Sequence, residues 1–145
     1  MRTWKRWTLL QVLALALALA LTGCASGGGK QRTALEELQY DYSAAIRWGD
    51  FEGAWTVVDP EVRKASPKTD LEFARYQQIQ VSGYRDLAST LSPDQQNAMR
   101  EIQIGVINKH NMTERSLRYT ERWRYDAAAK RWWLVSNLPD FWAGE

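Results

Sequence analysis

One carboxylate stands within an apolar stripe near the C-terminus. Residues 117–125 alternate aromatic or aliphatic side chains with polar ones, a pattern typical of a half-buried strand. By this alternation Glu121 shares a face with Tyr119 and Trp123 and should point to the interior. A buried carboxylate must be paired, hydrogen-bonded or protonated. The functional hypothesis is that Glu121 serves as a general base or anchors a ligand in a cavity. We favour the alternative, in which it pairs with an inward arginine or lies at the open edge of the sheet.

Arginines are candidates both for partners of this carboxylate and for the opposite face of its strand. Arg75 and Arg100 are the candidates for an inward partner of the carboxylate. The opposite face of the strand carries Arg118, Arg122 and Arg124 side by side. Those three could meet anionic lipid headgroups or an acidic partner. We favour the alternative, in which they keep an outer sheet face soluble and discourage edge pairing.

Cys24 is the only cysteine of the chain and follows a segment with the pattern of an export signal. The segment begins with three basic residues, Arg2, Lys5 and Arg6, and continues with an apolar run over residues 9–21. A membrane-spanning helix needs about 20 apolar residues, and this run is shorter. An exported chain with a single cysteine forms no internal disulfide.

The residues Leu21-Thr22-Gly23-Cys24 resemble the lipobox of bacterial lipoproteins. The resemblance implies diacylation of the Cys24 thiol, cleavage before Cys24 and acylation of the new amino terminus. Ala25 stands where an aspartate would mark inner-membrane retention, which favours an outer-membrane anchor. The implied organisation is a signal peptide at 1–23, a lipidated cysteine with a flexible tether at 24–32, and a globular domain at 33–145.

The charge balance of the expected mature chain excludes one class of partner. The full chain has 19 Lys+Arg and 17 Asp+Glu, and removal of the three basic leader residues leaves 16 against 17. The calculated pI of 8.8 therefore belongs to the precursor and does not support nucleic-acid binding. The sequence also lacks a phosphate-binding glycine loop, a Cys/His metal cluster and a nucleophile elbow. No catalytic residue, metal site or cofactor is predicted.

Two helices are expected to open the domain. Thr33-Ala34-Leu35-Glu36 fits a capping box, and Gly49 fits the C-terminal cap of the same helix. Asp50 then caps a second helix, which stops at Asp59-Pro60. The apolar residues of the first helix recur at helical spacing and predict one buried face: Leu35, Leu38, Tyr42, Ala45 and Ile46.

After residue 70 the pattern alternates, which predicts four strands within residues 73–84, 102–106, 117–125 and 132–138. Two structures are possible for residues 87–99. We favour a loop with extended flanks, and the alternative is a short helix that begins at Pro93. The order predicts an α+β fold in which N-terminal helices pack on a curved, mainly antiparallel four-stranded sheet.

The segment 42–60, YSAAIRWGDFEGAWTVVDP, resembles the helix–Gly-Asp–helix opening of the NTF2-like (SnoaL/ketosteroid isomerase-like) superfamily. The C-terminal RWWLVSN agrees with its aromatic strand, although a cystatin-like sheet on helices has the same order of elements. The resemblance implies a bent sheet around a cavity that serves catalysis in some members and binding in others. The only histidine, His110, lies in a predicted polar turn, and neither catalytic set of the superfamily can be placed on this chain.

These observations lead to one expected function and two alternatives. We expect an outer-membrane-anchored, periplasm-facing lipoprotein whose domain binds a small apolar ligand or another envelope protein. The residues expected to bind a ligand are Glu121, Tyr119, Trp123 and Tyr42. The alternatives are an envelope enzyme of the isomerase or hydratase type with a cavity carboxylate, which is less favoured, and an assembly or inhibitor protein that acts by surface contact.

Overall fold

The computed structural model describes residues 27–143, which form helices on one side and an antiparallel sheet on the other. The helices are α1 (Gly27–Trp48), α2 (Phe51–Thr56), α3 (Pro60–Ala65) and α4 (Asp70–Tyr76). The strands are β1 (Ile79–Leu91), β2 (Asn97–Asn108), β3 (Glu114–Asp126) and β4 (Arg131–Leu134). A compact unit begins at Ala34 and contains all four strands. The export signal, the lipobox and Cys24 lie outside the described residues.

The first helix begins earlier than its predicted capping box. α1 starts at Gly27, and the Thr33 hydroxyl donates to the Gly29 carbonyl oxygen at 3.0 Å. Thr33 therefore lies inside the helix and does not cap it. No helix within residues 27–143 combines the length and the apolar character needed to cross a membrane.

The junction between α1 and α2 follows the sequence prediction. Gly49 ends α1 with φ at +76°, a backbone conformation that glycine adopts without a steric penalty. Asp50 then caps α2, because its Oδ1 accepts a hydrogen bond from the Gly53 amide at 2.9 Å. Both roles are confirmed.

Two further short helices, which were not predicted from the sequence, connect α2 to the sheet. The second, α4, occupies the start of the strand predicted within residues 73–84, so that part of the prediction is wrong. Asp59 caps α3 by accepting from the Glu61 amide at 2.9 Å, and Pro60 occupies the first turn. Thr69 and Glu72 form a reciprocal capping box at the start of α4. Each helix is therefore defined by its own cap.

The sheet confirms the α+β prediction at the level of its architecture. Its strand order is β1-β2-β3-β4 and every pair is antiparallel. β1 contains two irregularities, between Val81 and Gly83 and between Asp86 and Ala88. β1 and β2 continue into the region left open by the sequence and meet at a turn over residues 92–96, so the short-helix alternative is wrong.

The core lies between α1 and the inner face of the sheet. α1 contributes Tyr42 and Ile46, and the sheet contributes Ile102, Trp123 and Leu134, all almost fully buried. The register places Arg118, Arg122 and Arg124 on the opposite, outer face, where all three are exposed. The alternation predicted for β3 is confirmed.

Candidate functional site

Glu121 lies at the centre of the inner face and is 0% exposed. It occupies β3 directly opposite Arg100 of β2, in a cross-strand pair whose side chains point the same way. Arg100 is the arginine that reaches it. Arg75, the other candidate, lies on α4 with its guanidinium over the Trp142 ring.

The Glu121 carboxylate accepts four hydrogen bonds. Arg100 donates from Nε to Oε2 and from Nη2 to Oε1, both at 2.9 Å, which is a bidentate arrangement. Trp123 donates its indole Nε1 to Oε2 at 2.9 Å, and the Tyr84 hydroxyl donates to Oε1. An ionised carboxylate offers about four acceptor positions, so these donors occupy all of them.

Burial controls the protonation of this cluster. It raises the pKa of the Glu121 carboxyl above its ordinary value, while the Arg100 charge and the hydrogen bonds from Tyr84, Arg100 and Trp123 oppose the increase. The pKa of the Tyr84 phenol is raised well above its usual range, first by burial and then by the neighbouring Glu121 charge. Tyr84 therefore remains a proton donor to the carboxylate.

A second set of hydroxyl groups connects α1, β3 and the segment after β4. The Tyr119 hydroxyl donates to the Asn137 carbonyl oxygen at 2.8 Å and lies 3.0 Å from the Tyr42 hydroxyl. Because a phenol carries one proton, Tyr42 is the donor to Tyr119. The pKa of both phenols is raised, and burial is the largest cause. The Tyr42 ring also packs edge-on against Trp123, with centroids 5.6 Å apart.

The structure thus brings together all four residues that the sequence singled out for ligand binding. Glu121, Trp123, Tyr42 and Tyr119 form one connected cluster, in which Tyr119 is half-buried and the other three are buried. Arg100 extends it to α1 by donating to the Gln39 carbonyl oxygen at 3.4 Å. The polar groups of this cluster bind one another and hold α1 on the sheet. Their ligand-binding role stays a prediction.

Tyr84 is the member that sequence reasoning did not place. Strict alternation from Ile79 through Val81 would direct Tyr84 to the outer face. The irregularity between Val81 and Gly83 adds a residue to β1, so Tyr84 pairs with Ile104 and points inward. The only signal in the sequence is the Ser82-Gly83 dipeptide, since an isolated glycine in a strand is typical of a bulge.

Metal ligation is not indicated in the described part of the chain. Among residues 27–143 no three His, Cys, Asp or Glu side chains lie close enough to hold a metal ion. His110 lies in the exposed turn between β2 and β3, where its amide donates to Asn108 Oδ1 at 2.9 Å.

The outer face of the sheet concentrates positive charge. Five exposed arginines lie on it, and we call them the arginine face: Arg85, Arg118, Arg122, Arg124 and Arg131. Arg85 donates to Gln103, Arg124 pairs with Asp59, and Arg131 lies 3.7 Å above the Trp133 ring centroid.

Two members of the arginine face remain available. Among the described residues, neither Arg118 nor Arg122 has a hydrogen-bond or ion-pair partner for its guanidinium. The same face contains an open depression of about 490 Å³. Its floor is a row of small residues that lie side by side across three strands: Gly83, Gly105 and Ser116.

Comparisons with known proteins show a shared fold. The chain is similar to RPA3114, a SEC-C motif containing protein from Rhodopseudomonas palustris, with 20% identity over 71% of this chain and 77% of that chain and a TM-score of 0.54. It is also similar to a SEC-C motif containing protein from Psychrobacter arcticus, with 12% identity over 74% of this chain and 61% of that chain and a TM-score of 0.55. No family model and no curated protein matches the chain.

These findings contradict the family expected from the sequence. The expected lipoprotein with an NTF2-like domain is wrong as a family assignment, because the similar structures are SEC-C motif containing proteins and nothing in the comparisons supports the lipobox. The helix–Gly-Asp–helix opening is a local feature that other α+β folds share, since it needs only a glycine cap followed by an N-cap. Identities of this size show the fold alone.

Proposed function

We propose that this chain is a non-catalytic binding protein of the bacterial cell envelope, which binds an acidic partner protein on its arginine face. The observation that carries the proposal is the pair of exposed guanidinium groups of Arg118 and Arg122, which have no partner among the described residues. Attachment through a lipidated Cys24 at the outer membrane is part of the proposal. That part is supported by the basic-then-apolar leader and the Leu21–Cys24 motif of the sequence.

The chemistry of the arginine face favours carboxylate groups on the partner. A guanidinium offers a planar fork of N–H donors that matches the two oxygens of a carboxylate. Arg118 and Arg122 are four residues apart on β3, which separates them by about 13 Å at 3.3 Å per residue. An acidic surface or segment of a partner can therefore engage both at once.

Apolar side chains on the same side favour a protein over a lipid surface. Met99 lies between Thr90 and Arg122 in the sheet register and is 37% exposed. Trp133 lies under Arg131, which holds the ring in place. Arginine, methionine and tryptophan are enriched at protein interfaces.

The interior supports binding over catalysis. Glu121, the fully buried carboxylate, has its acceptor positions occupied by Arg100, Trp123 and Tyr84. A general base needs a free acceptor directed at the proton that it removes. The Glu121 cluster stabilises the fold, and the groups free to bind a partner are on the sheet's outer face.

In-cell photo-crosslinking tests the proposal. A photoreactive amino acid replaces Thr120, which lies between Arg118 and Arg122 on the outer face. We expect one discrete protein adduct, identified by mass spectrometry. The Arg122→Glu variant should lower its yield by about tenfold, because a repulsive charge replaces an attractive one. The matched Lys64→Glu variant on α3, which changes the net charge equally, should keep the yield.

A second variant tests the depression independently of charge. A Cβ added at Gly83 would meet nothing within 4 Å, and Gly83 lines the open depression, so Gly83→Leu should fill the depression without disturbing the sheet. We expect a weaker protein adduct and unchanged thermal stability. Phospholipid adducts without a protein adduct would overturn the proposal in favour of a membrane-binding face. Equal adduct yields in the Arg122→Glu and Lys64→Glu variants would also overturn it.

A further inference from the structure

A groove lies between α4 and the segment that follows β4, and none of its lining residues belongs to the arginine face. Its volume is about 260 Å³, and the residues that matter to its chemistry are Lys68, Glu72, Arg75, Tyr76, Asp140 and Trp142. The segment is fixed in place, because the Tyr76 hydroxyl donates to the Pro139 carbonyl oxygen at 3.0 Å and Phe141 is 0% exposed. The groove is therefore preformed.

Lys68 directs an ammonium group into this groove without a hydrogen-bond acceptor. Its side chain is 11% exposed, and Nζ lies 5.4 Å and 5.5 Å from the ring centroids of Trp55 and Tyr76. The closest carboxylate oxygen, Oε1 of Glu72, is 3.9 Å away, beyond hydrogen-bond distance. Ring faces attract a cation but accept none of its three N–H donors. Among the described residues this nearly buried ammonium has no acceptor.

Arg75 adds a second cation with free donors. Its guanidinium carbon lies 4.0 Å from the Trp142 ring centroid, so the two groups stack closely. No residue within 27–143 accepts a hydrogen bond from the Arg75 guanidinium. Stacking fixes the plane of the fork and leaves its N–H edge available to a carboxylate.

The acidic groups of the groove are already engaged by the protein. Glu72 Oε2 accepts from the Thr69 amide at 2.7 Å and from its hydroxyl at 3.1 Å, in the capping box of α4. Those hydrogen bonds lower the pKa of the Glu72 carboxyl, which keeps it anionic. Asp140 Oδ1 accepts from the Trp142 amide at 3.0 Å. The groups that lack hydrogen-bond partners are therefore the two cations.

We propose that the groove binds the carboxylate of a small molecule through Lys68 and Arg75, with the apolar body of that molecule against Tyr76 and Trp142. Two cations and two carboxylates line the groove, so its formal charge is zero. A monoanion gains both donors at little electrostatic cost, whereas a phosphate dianion is repelled by Glu72 and Asp140. This inference does not depend on the arginine face.

Benzoate, benzamide and inorganic phosphate are the probes that test the proposal on the full chain. The readout is the indole N–H resonance of Trp142 in the ¹⁵N-labelled protein, assigned with a Trp142→Phe variant. We expect benzoate to shift this resonance in a saturable manner, and benzamide and phosphate to leave it in place. A response to benzamide equal to that of benzoate, or to phosphate alone, would overturn the carboxylate site.

Variants that each remove one positive charge test whether benzoate binds in this groove. Lys68→Met keeps the apolar stem over the two rings but removes the ammonium, and it should weaken benzoate binding by at least about tenfold. Lys64→Met, at an exposed position of α3, is the matched control and should bind as the unmodified chain does. Arg75→Gln, also exposed, is the variant to measure if Lys68→Met does not fold, and the same weakening is expected of it. Undiminished benzoate affinity in either groove variant would refute the assignment.

Discussion

The pair formed by Arg100 and Glu121 provides the sharpest test of the interior. In an Arg100→Met variant the fully buried Glu121 loses its bidentate partner but keeps the donors of Tyr84 and Trp123. Removal of one member of a buried ion pair costs about 3–5 kcal/mol, because the remaining charge is left uncompensated. We expect a loss of unfolding free energy in that range at neutral pH.

The cost should depend on pH, and its sign follows from the direction of the pKa shift. Burial raises the pKa of folded Glu121 above its ordinary value of 4.5, and Arg100 opposes that increase. A raised folded pKa gives stability that is present below the unfolded pKa and is lost as pH rises through the folded pKa. Loss of Arg100 raises the pKa of Glu121 further. The destabilisation by Arg100→Met should therefore be small near pH 4.5 and grow towards neutral pH.

Urea unfolding measures these costs when it is followed by tryptophan fluorescence near pH 4.5 and at neutral pH. The m-values of the variants are compared at the same time. The double variant Arg100→Met/Glu121→Gln should lose the pH dependence, because the titrating group is gone. The exposed Arg122→Met variant should change the unfolding free energy by no more than about 0.5 kcal/mol. A cost below about 1 kcal/mol for Arg100→Met, or the same cost at both pH values, would refute this account of the pair.

Three other outcomes are expected. Phe141→Ala should lower the unfolding free energy measured in urea by about 3–5 kcal/mol, because Phe141 is fully buried against Phe51 and Tyr76. The control Trp48→Ala, at an 87% exposed position, should lower it by less than about 0.5 kcal/mol. Tyr119→Phe should cost about 1–3 kcal/mol, since the buried Tyr42 hydroxyl loses its acceptor, and an unchanged unfolding midpoint would contradict this. Cys24→Ser should move the protein from the membrane fraction to the soluble fraction of expressing bacteria, and retention in the membrane would argue against the proposed anchor.

The pattern of residues within single elements predicted much of the fold. The cap at Gly49 and Asp50 depends on local backbone geometry and short hydrogen bonds, so the sequence alone indicates it. The same local signals exist for α3 and α4, in Asp59-Pro60 and in Thr69 with Glu72. These two helices could have been predicted from the sequence and were missed. The early start of α1 could not, because glycines at 27–29 have low helix propensity.

For the candidate site, too, the local sequence pattern predicted only the direction of each side chain. Alternation along β3 placed Glu121 with Tyr119 and Trp123 on the inner face and Arg118 with Arg122 outside, because side-chain direction in a strand has a period of two. That period is a property of the strand itself and needs no knowledge of its neighbours.

The partners of those residues depended on contacts between elements distant in sequence. The β2–β3 register placed Arg100 beside Glu121, while Arg75 on α4 stacks on Trp142. The irregularity in β1 directed Tyr84 inward to the same carboxylate. Composition and spacing thus determined which groups are buried and which are exposed, since local geometry sets their direction. Only the tertiary structure decided which donors meet the buried charge, because strand register is set by packing across the whole sheet.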